Sequence, residues 1–517
     1  MKTLNQIGKQ FQNELAYAHN LAKTEAEELE NAEKIHISSV GGQITKGYEK
    51  LRNASENAEE SLLLQRAIKR FYKRQILAPE LVDDSGLELI NELTLAGYLE
   101  NDSVATSLAD EINHIVDGYL RARDVAKKTV SGVHLESWTV EPLSAHLESL
   151  FNDHRPQLAL SNLAYNFFLE TIKPEKLFCT RPVSYEAMLL VAVWSSLLKI
   201  DAATIRFRLM ERYQISTTKI NEYIKFNSQI DSIFNSKDTD KLEKIVSRHS
   251  ARFRVMLKTI DNTTIPVALD REELFLSHYQ SAISETYKTV VKAVNRGIGR
   301  SVLFLIITKV IIGIAIEVPY DLIAIGVVAM TPLIINLLFP PIYMVLLRLT
   351  LKMPGKANAQ ALEDDIERVL YVEKLQPVHL PRGGSTKDFA LGFQIVYAIV
   401  VLAVLIGVGY LLTTFGFDWV HLAVFYVFVS AASFLGFRLS RWIREIEVVE
   451  TRQTVVAMVR DFLYMPFVVA GQAINDGYAK IAIVSRALDM LVELPLKSIL
   501  RLLRRWNAFL GAKKDEL

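Results

Sequence analysis

Cysteine is nearly absent from the 517-residue chain, Cys179 being the only one. No intramolecular disulfide can form, which fits a main domain in a reducing compartment, and no Cys-x-x-Cys metal or redox pair exists. An excess of either charge is missing too. Fifty-nine Lys and Arg stand against 58 Asp and Glu, so the charge balance gives no warrant for a nucleic-acid partner. Only 23 Gly are present, which excludes a collagen-like chain, and 50% hydrophobic residues exclude a disordered one.

Motifs that carry chemistry are also missing. There is no G-x-x-x-x-G-K-[ST] phosphate loop, no H-E-x-x-H and no G-x-S-x-G. Gly297-Ile298-Gly299 opens like a dinucleotide fingerprint, but Val302 stands where the third Gly belongs and no strand precedes it. Two Glu-x-x-His pairs, Glu33 with His36 and Glu111 with His114, resemble di-iron ligand pairs, which also need two further Glu on facing helices. Glu33 lies at the end of a helical pattern before a Gly pair, so no metal site is expected. The tetrapeptides at His134–Ser137 and His146–Ser149 are identical but too short to be a structural repeat. The chain therefore reads as a non-enzyme with no catalytic residue and no cofactor.

What the sequence does contain is an uneven distribution of charge and apolarity. Residues 1 to 150 hold 16 basic and 24 acidic groups, 151 to 300 hold 22 and 16, and 301 to 517 hold 21 and 18 between long apolar runs. Crossing a membrane core takes about 20 helical residues. Ser301–Ile316, Leu322–Leu347, Phe389–Phe415 and Trp419–Phe437 read as four transmembrane helices in two hairpins. In the first, Arg300 and Glu317 act as interfacial ends; in the second, Pro332 and the Pro340-Pro341 pair should kink the helix or end it early. Asp321 and Asp418 can each cap a descending helix.

The flanks set an orientation. Lys288, Lys292, Arg296 and Arg300 precede the first run, seven basic residues lie between Arg348 and Lys387, and Arg438, Arg441 and Arg444 follow the fourth. Neither tight turn holds Lys or Arg. The positive-inside rule places both termini and the 352–388 connecting segment in the cytoplasm. The terminal Lys514-Asp515-Glu516-Leu517 matches an ER-retrieval signal, but such a signal acts only in a lumen and is read as coincidence.

Lys309 is the one ionisable residue in mid-run, where a charge is costly and should face protein or water. With Asn336, Tyr397, Tyr426 and Ser430 as polar neighbours and no carboxylate inside the other spans, Lys309 and Asn336 form the candidate intramembrane site, for an anion or lipid headgroup. The alternative is a snorkelling lysine in a short span. His421 reads as interfacial.

Beyond the fourth run, Val455–Ile474 is apolar but broken by Arg460, Asp461 and Pro466, as a re-entrant or surface-lying segment would be. Farther on, Leu496, Ile499, Leu500, Leu503, Trp506 and Leu510 share one helical face while Lys497, Arg501, Arg504 and Arg505 occupy the other. With Trp506, these basic residues form a candidate surface for anionic lipids of the bilayer, within amphipathic helices over 438–517.

The first half of the chain is expected to be helical. Residues 1–40 form a long arm whose apolar stripe, Leu4 to Leu29, suits helix pairing with a protein partner or a second copy. A helical cytoplasmic domain covers 54–276, with helices at Ser61–Leu77, Ser85–Leu99, Ser103–Ala126, Glu141–Phe151, Gln157–Ile172, Ser184–Ile200, Ala202–Tyr213 and Thr217–Phe234. It could subdivide near 127–132, and Thr263–Leu269 is the one strand-like stretch. A juxtamembrane helix leads into the first hairpin over 277–351, and the second occupies 389–437. The fold class is all-α.

Asn336–Val345 (NLLFPPIYMV), Lys352-Met353-Pro354-Gly355-Lys356 and Ala487–Lys497 (ALDMLVELPLK) resemble multi-pass membrane proteins of reduced-genome candidate-phylum bacteria, a family without assigned activity. The resemblance spans roughly residues 270–510 and implies a helical cytoplasmic region followed by a membrane hairpin module. It transfers no site residue. The expected function is a membrane-anchored interaction or scaffold component, with a small-anion or lipid channel or transporter around Lys309 as the alternative.

Overall fold

The structure is a computed structural model that describes residues 2–38, 42–54, 60–77, 84–128, 132–178, 182, 184–324, 326–351, 353–378, 391–449, 462 and 464–477. Cys179, the basic C-terminal residues Lys497, Arg501, Arg504 and Arg505, and Trp506 lie outside them, as does most of 438–517 beyond Val449. Among the described residues the chain is all-helical, with one isolated β-bridge between Lys34 and Ala105. Four helices are long and apolar enough to cross a membrane: Glu272–Ala324, Met330–Thr350, Ile395–Thr413 and Trp419–Arg444.

Helix ends follow local chemistry. Glu60–Leu77, Ser85–Ala96, Val140–Phe151, Arg155–Thr171, Ala202–Arg212 and Ile220–Phe234 fall within a few residues of the pattern-based expectation. Asp84 and Asp201 start their helices by accepting the Leu87 and Thr204 amides, and Gly97, at φ 83°, stops one in the left-handed region that suits glycine. The stretch Thr263–Leu269 is not a strand. It holds the short helix Ile265–Ala268, opened by Pro266, whose fixed φ suits a first helical turn and whose missing N–H would break a sheet ladder.

Two apolar cores fill the helical body. Helices on both sides of 127–132 share one core, in which Ile68, Leu89, Ile112 and Leu147 are fully buried. The other gathers Leu15, Phe168, Leu189, Phe253 and Phe275, each fully buried and each stabilising by about 1.5–3 kcal/mol. Ser184–Ile200 is a buried core helix, Tyr185–Val193, continued by a π turn over Trp194–Leu198.

The N-terminal helix Gln6–Asn31 spends half of its stripe inside its own chain. Ile7, Phe11, Leu15 and Ala18 are buried, largely against Arg155–Thr171, and the stretch Lys23–Glu28 is exposed. Asn5 accepts the Gly8 amide and donates to the Val369 and Val372 carbonyls, tying this end to a helix within the expected connecting segment 352–388. That helix, Lys356–Tyr371, inserts Leu362, Ile366, Val369 and Leu370 into the core, all fully buried.

One helix joins body and apolar bundle. Glu272–Ile312 is continuous, passes through a π turn at Gly313–Glu317 and ends at Ala324. Phe275, Tyr279 and Ile283 belong to the body's core, whereas Val294, Ile298 and Leu305 pack with Met344, Phe428 and Leu439. Gly297 contributes to this packing by being small, since a Cβ there would lie 2.6 Å from Leu439 Cδ2. The end of the fourth apolar helix is clasped by the body: Arg254 Nη1 donates to the Glu445 carbonyl (2.7 Å), Lys199 Nζ to Glu445 Oε2 (2.6 Å), and Asn358 bridges the Ile446 carbonyl and the Val448 and Val449 amides.

The second apolar helix runs through its prolines. Pro340 and Pro341 lie inside Met330–Thr350, both buried, so neither ends the helix. Helical residues 464–477 pack on the fourth apolar helix. Phe467 stacks on Tyr426, and a Cβ on Gly471 would come within 2.2 Å of the Ser430 carbonyl oxygen.

Candidate functional site

The first and second apolar helices meet the fourth around a group of polar side chains. Lys309 is 2% exposed, and Glu317, Asp321, Asn336 and His421 are fully buried. A charge removed from water this far persists only when paired and hydrogen-bonded. Lys309 Nζ donates to Glu317 Oε1 at 2.8 Å and lies 4.8 Å from the Phe428 ring centroid, a cation–π contact. Asn336 Nδ2 donates to the same Glu317 oxygen at 2.8 Å and to the His421 carbonyl at 3.2 Å.

A second pair adjoins this one. His421 Nε2 lies 3.3 Å from Asp321 Oδ1, close enough for an ion pair though not aligned as a hydrogen bond. Asp321 Oδ2 accepts the Ala329 amide at 2.8 Å, so this carboxylate ties the start of the descending helix, as a cap would, from within the preceding helix. Tyr320 donates to Asp418 Oδ2 at 2.7 Å and packs edge-on against Trp419 and His421, closing this end of the bundle. Asp418 stands at the start of the fourth helix but makes no side-chain cap there.

The structure brings Lys309 and Asn336 together through Glu317, and corrects the sequence reading at three residues. Glu317 and Asp321 are not turn residues, because the first helix continues to Ala324 and the turn falls after it. Lys309 thus has a carboxylate partner from its own helix and does not snorkel. His421 is fully buried, with Phe417 and Tyr320 packed against it. Of the other polar candidates, Tyr426 donates to the Leu405 carbonyl, and Ser430 is buried beside Gly471.

Chemically, the cluster presents one ammonium, two carboxylates, an amide and an imidazole. Its charges sum to −1 with a neutral imidazole and to zero when His421 carries a proton, so one proton balances it. Glu317 Oε2, Asn336 Oδ1 and His421 Nδ1 take no hydrogen bond among the described residues, which leaves acceptor and donor capacity for a proton or a small polar guest. Lys309 offers less to an anion than a free ammonium would, because Glu317 already neutralises it. Among the described residues no group of three or more His, Cys, Asp and Glu is arranged to hold a metal. His36 instead contacts Asp102 at 3.1 Å. Comparison with family models, with curated proteins and with solved structures gave no match for this chain, so the site is read from its own residues.

Proposed function

We propose that this chain is a non-enzymatic, membrane-anchored interaction or scaffold component of a bacterial inner membrane, with its helical body and both termini cytoplasmic and its spans in two hairpins. One observation carries the reading. The helix Glu272–Ala324 belongs at one end to the body's core and at the other to the bundle, so the body is held at a fixed attitude to the bilayer, as a scaffold requires. Partner contact is assigned to the exposed part of the N-terminal helix, where Tyr17 is 66% exposed, and anionic-lipid contact to Lys497, Arg501, Arg504, Arg505 and Trp506. The orientation rests on the basic flanks. Photo-crosslinking from Tyr17 and from Val267, 71% exposed on the short helix that Gln12 bonds at the Pro266 carbonyl, in membranes containing the full chain tests the proposal. Discrete adducts with a partner or a second copy are expected, and an absence of adducts at both positions would remove its support.

The Lys309 cluster favours a second reading, transport. Because Glu317 neutralises Lys309, the arrangement suits a proton better than a small anion or lipid headgroup. Proteoliposomes would then show a proton flux that Glu317→Gln and His421→Phe each abolish. An anion flux insensitive to both would point away from the cluster.

A further inference from the structure

Between the helical body and the end of the fourth apolar helix lies a cleft of about 940 Å³. Three separate segments contribute cations to it: Arg248 and Arg252 from the body, Arg368 and Lys374 at and after the helix Lys356–Tyr371, and Arg444 from the last turn of the apolar helix. Only two carboxylates, Asp365 and Glu447, share the lining. Asp365 is already engaged twice, by Arg252 at 3.1 Å and Arg368 at 3.7 Å. Arg248 and Lys374 are exposed and enter no ion pair among the described residues. Arg444 donates to Ser440 Oγ (2.9 Å) and lies over the Phe437 ring, which sets its guanidinium at the cleft without neutralising it.

Cations gathered from distant parts of a chain repel one another and stay together at low cost only when an anion shares them. Arginine forks match phosphate oxygens in pairs, and a lysine adds a point charge. The position suits a membrane source. Arg438 is the first charge after the apolar run, and Arg444 lies about 9 Å farther along the axis, at headgroup depth.

We propose that this cleft binds a phosphate-bearing anion, supplied by an anionic phospholipid headgroup of the adjoining leaflet or by a free phosphate compound. The site shares no residue with the Lys309 cluster. The test uses the full chain in nanodiscs of phosphatidylcholine or of phosphatidylglycerol, with thermal unfolding as readout and inorganic pyrophosphate as the soluble probe. If the headgroup is the source, phosphatidylglycerol raises the unfolding midpoint. If a free anion is the source, pyrophosphate raises it in phosphatidylcholine. In either case the double variant Arg248→Gln/Lys374→Gln should weaken the response about a hundredfold in apparent affinity, since each of the two charge-assisted contacts is worth roughly a decade. Both side chains are exposed and unpaired, so the variant should fold, and with two mutually repelling charges gone its midpoint in phosphatidylcholine alone should be no lower than that of the wild type. Arg444→Gln is the second variant, with about a tenfold loss expected for its single contact. A wild type that responds to neither anion, or a response that survives in both variants, overturns the proposal.

Discussion

Lys309 and Glu317 lie eight residues apart on one helix, yet Nζ and Oε1 are 2.8 Å apart. In a regular α-helix eight residues turn about 80° past the starting face. The π turn at Gly313–Glu317 places more residues in a turn and so rotates less per residue, which swings Glu317 back toward Lys309. The two side chains then cover the remaining rise between them.

This geometry predicts an asymmetric mutational pattern. Lys309→Met leaves a buried carboxylate without its cation and should destabilise the protein by about 3–5 kcal/mol, whereas Lys309→Met with Glu317→Met should recover most of that loss. Denaturant unfolding in nanodiscs measures both. A double variant as unstable as the single one would show that the pair is not an isolated buried ion pair.

Gly471 makes a second prediction. A Cβ there would sit 2.2 Å from the Ser430 carbonyl oxygen, which no flexible side chain can relieve. Gly471→Ala should displace residues 464–477 from the fourth apolar helix at a cost of about 1–3 kcal/mol, seen as faster amide exchange in that segment. Unchanged exchange would mean that the two helices are not in contact.

His146 sets a pH dependence in the body. It stacks on Phe207 at 4.6 Å, and burial lowers its pKa from the usual 6.5 to about 4. Above pH 6.5 both folded and unfolded states leave it neutral. Between about 6.5 and 4 the unfolded chain takes the proton first, so stability falls as the pH is lowered, by up to about 1.4 kcal/mol per unit. His146→Phe should flatten this slope over that window, which unfolding at stepped pH reports.

Asn358 is the fourth test. Its side chain is 3% exposed and bonds the Tyr287 hydroxyl, the Ile446 carbonyl and the Val448 and Val449 amides. Asn358→Leu strands those buried groups, so a loss of roughly 3 kcal/mol and faster exchange at residues 446–449 are expected.

Much of this architecture was legible in the sequence, for identifiable reasons. The four apolar helices announce themselves by length, and Ser85–Ala96 by its Asp84 cap and Gly97 stop. The helix Lys356–Tyr371 was missed although Leu362, Ile366, Val369 and Leu370 recur at helical spacing, because basic residues around it read as a membrane flank. At the candidate site, Lys309 and Asn336 were visible as polar residues in apolar runs. Glu317 and Asp321 were not, because a carboxylate at the edge of an apolar run looks like the end of a span, and a π turn has no sequence signature. The burial of His421 was not visible either, because one of the rings packed against it, Tyr320, is distant in sequence.

The central claim is that body and bundle form one mechanical unit, joined by the helix Glu272–Ala324 and the clasp on Glu445. Spin labels at Val267, 71% exposed on the body, and Ile323, 87% exposed near the far end of that helix, in a Cys179→Ser background, measure it directly by electron–electron distance spectroscopy in nanodiscs. The account predicts a single narrow distance distribution that is unchanged between lipid compositions. A broad or two-peaked distribution would contradict it.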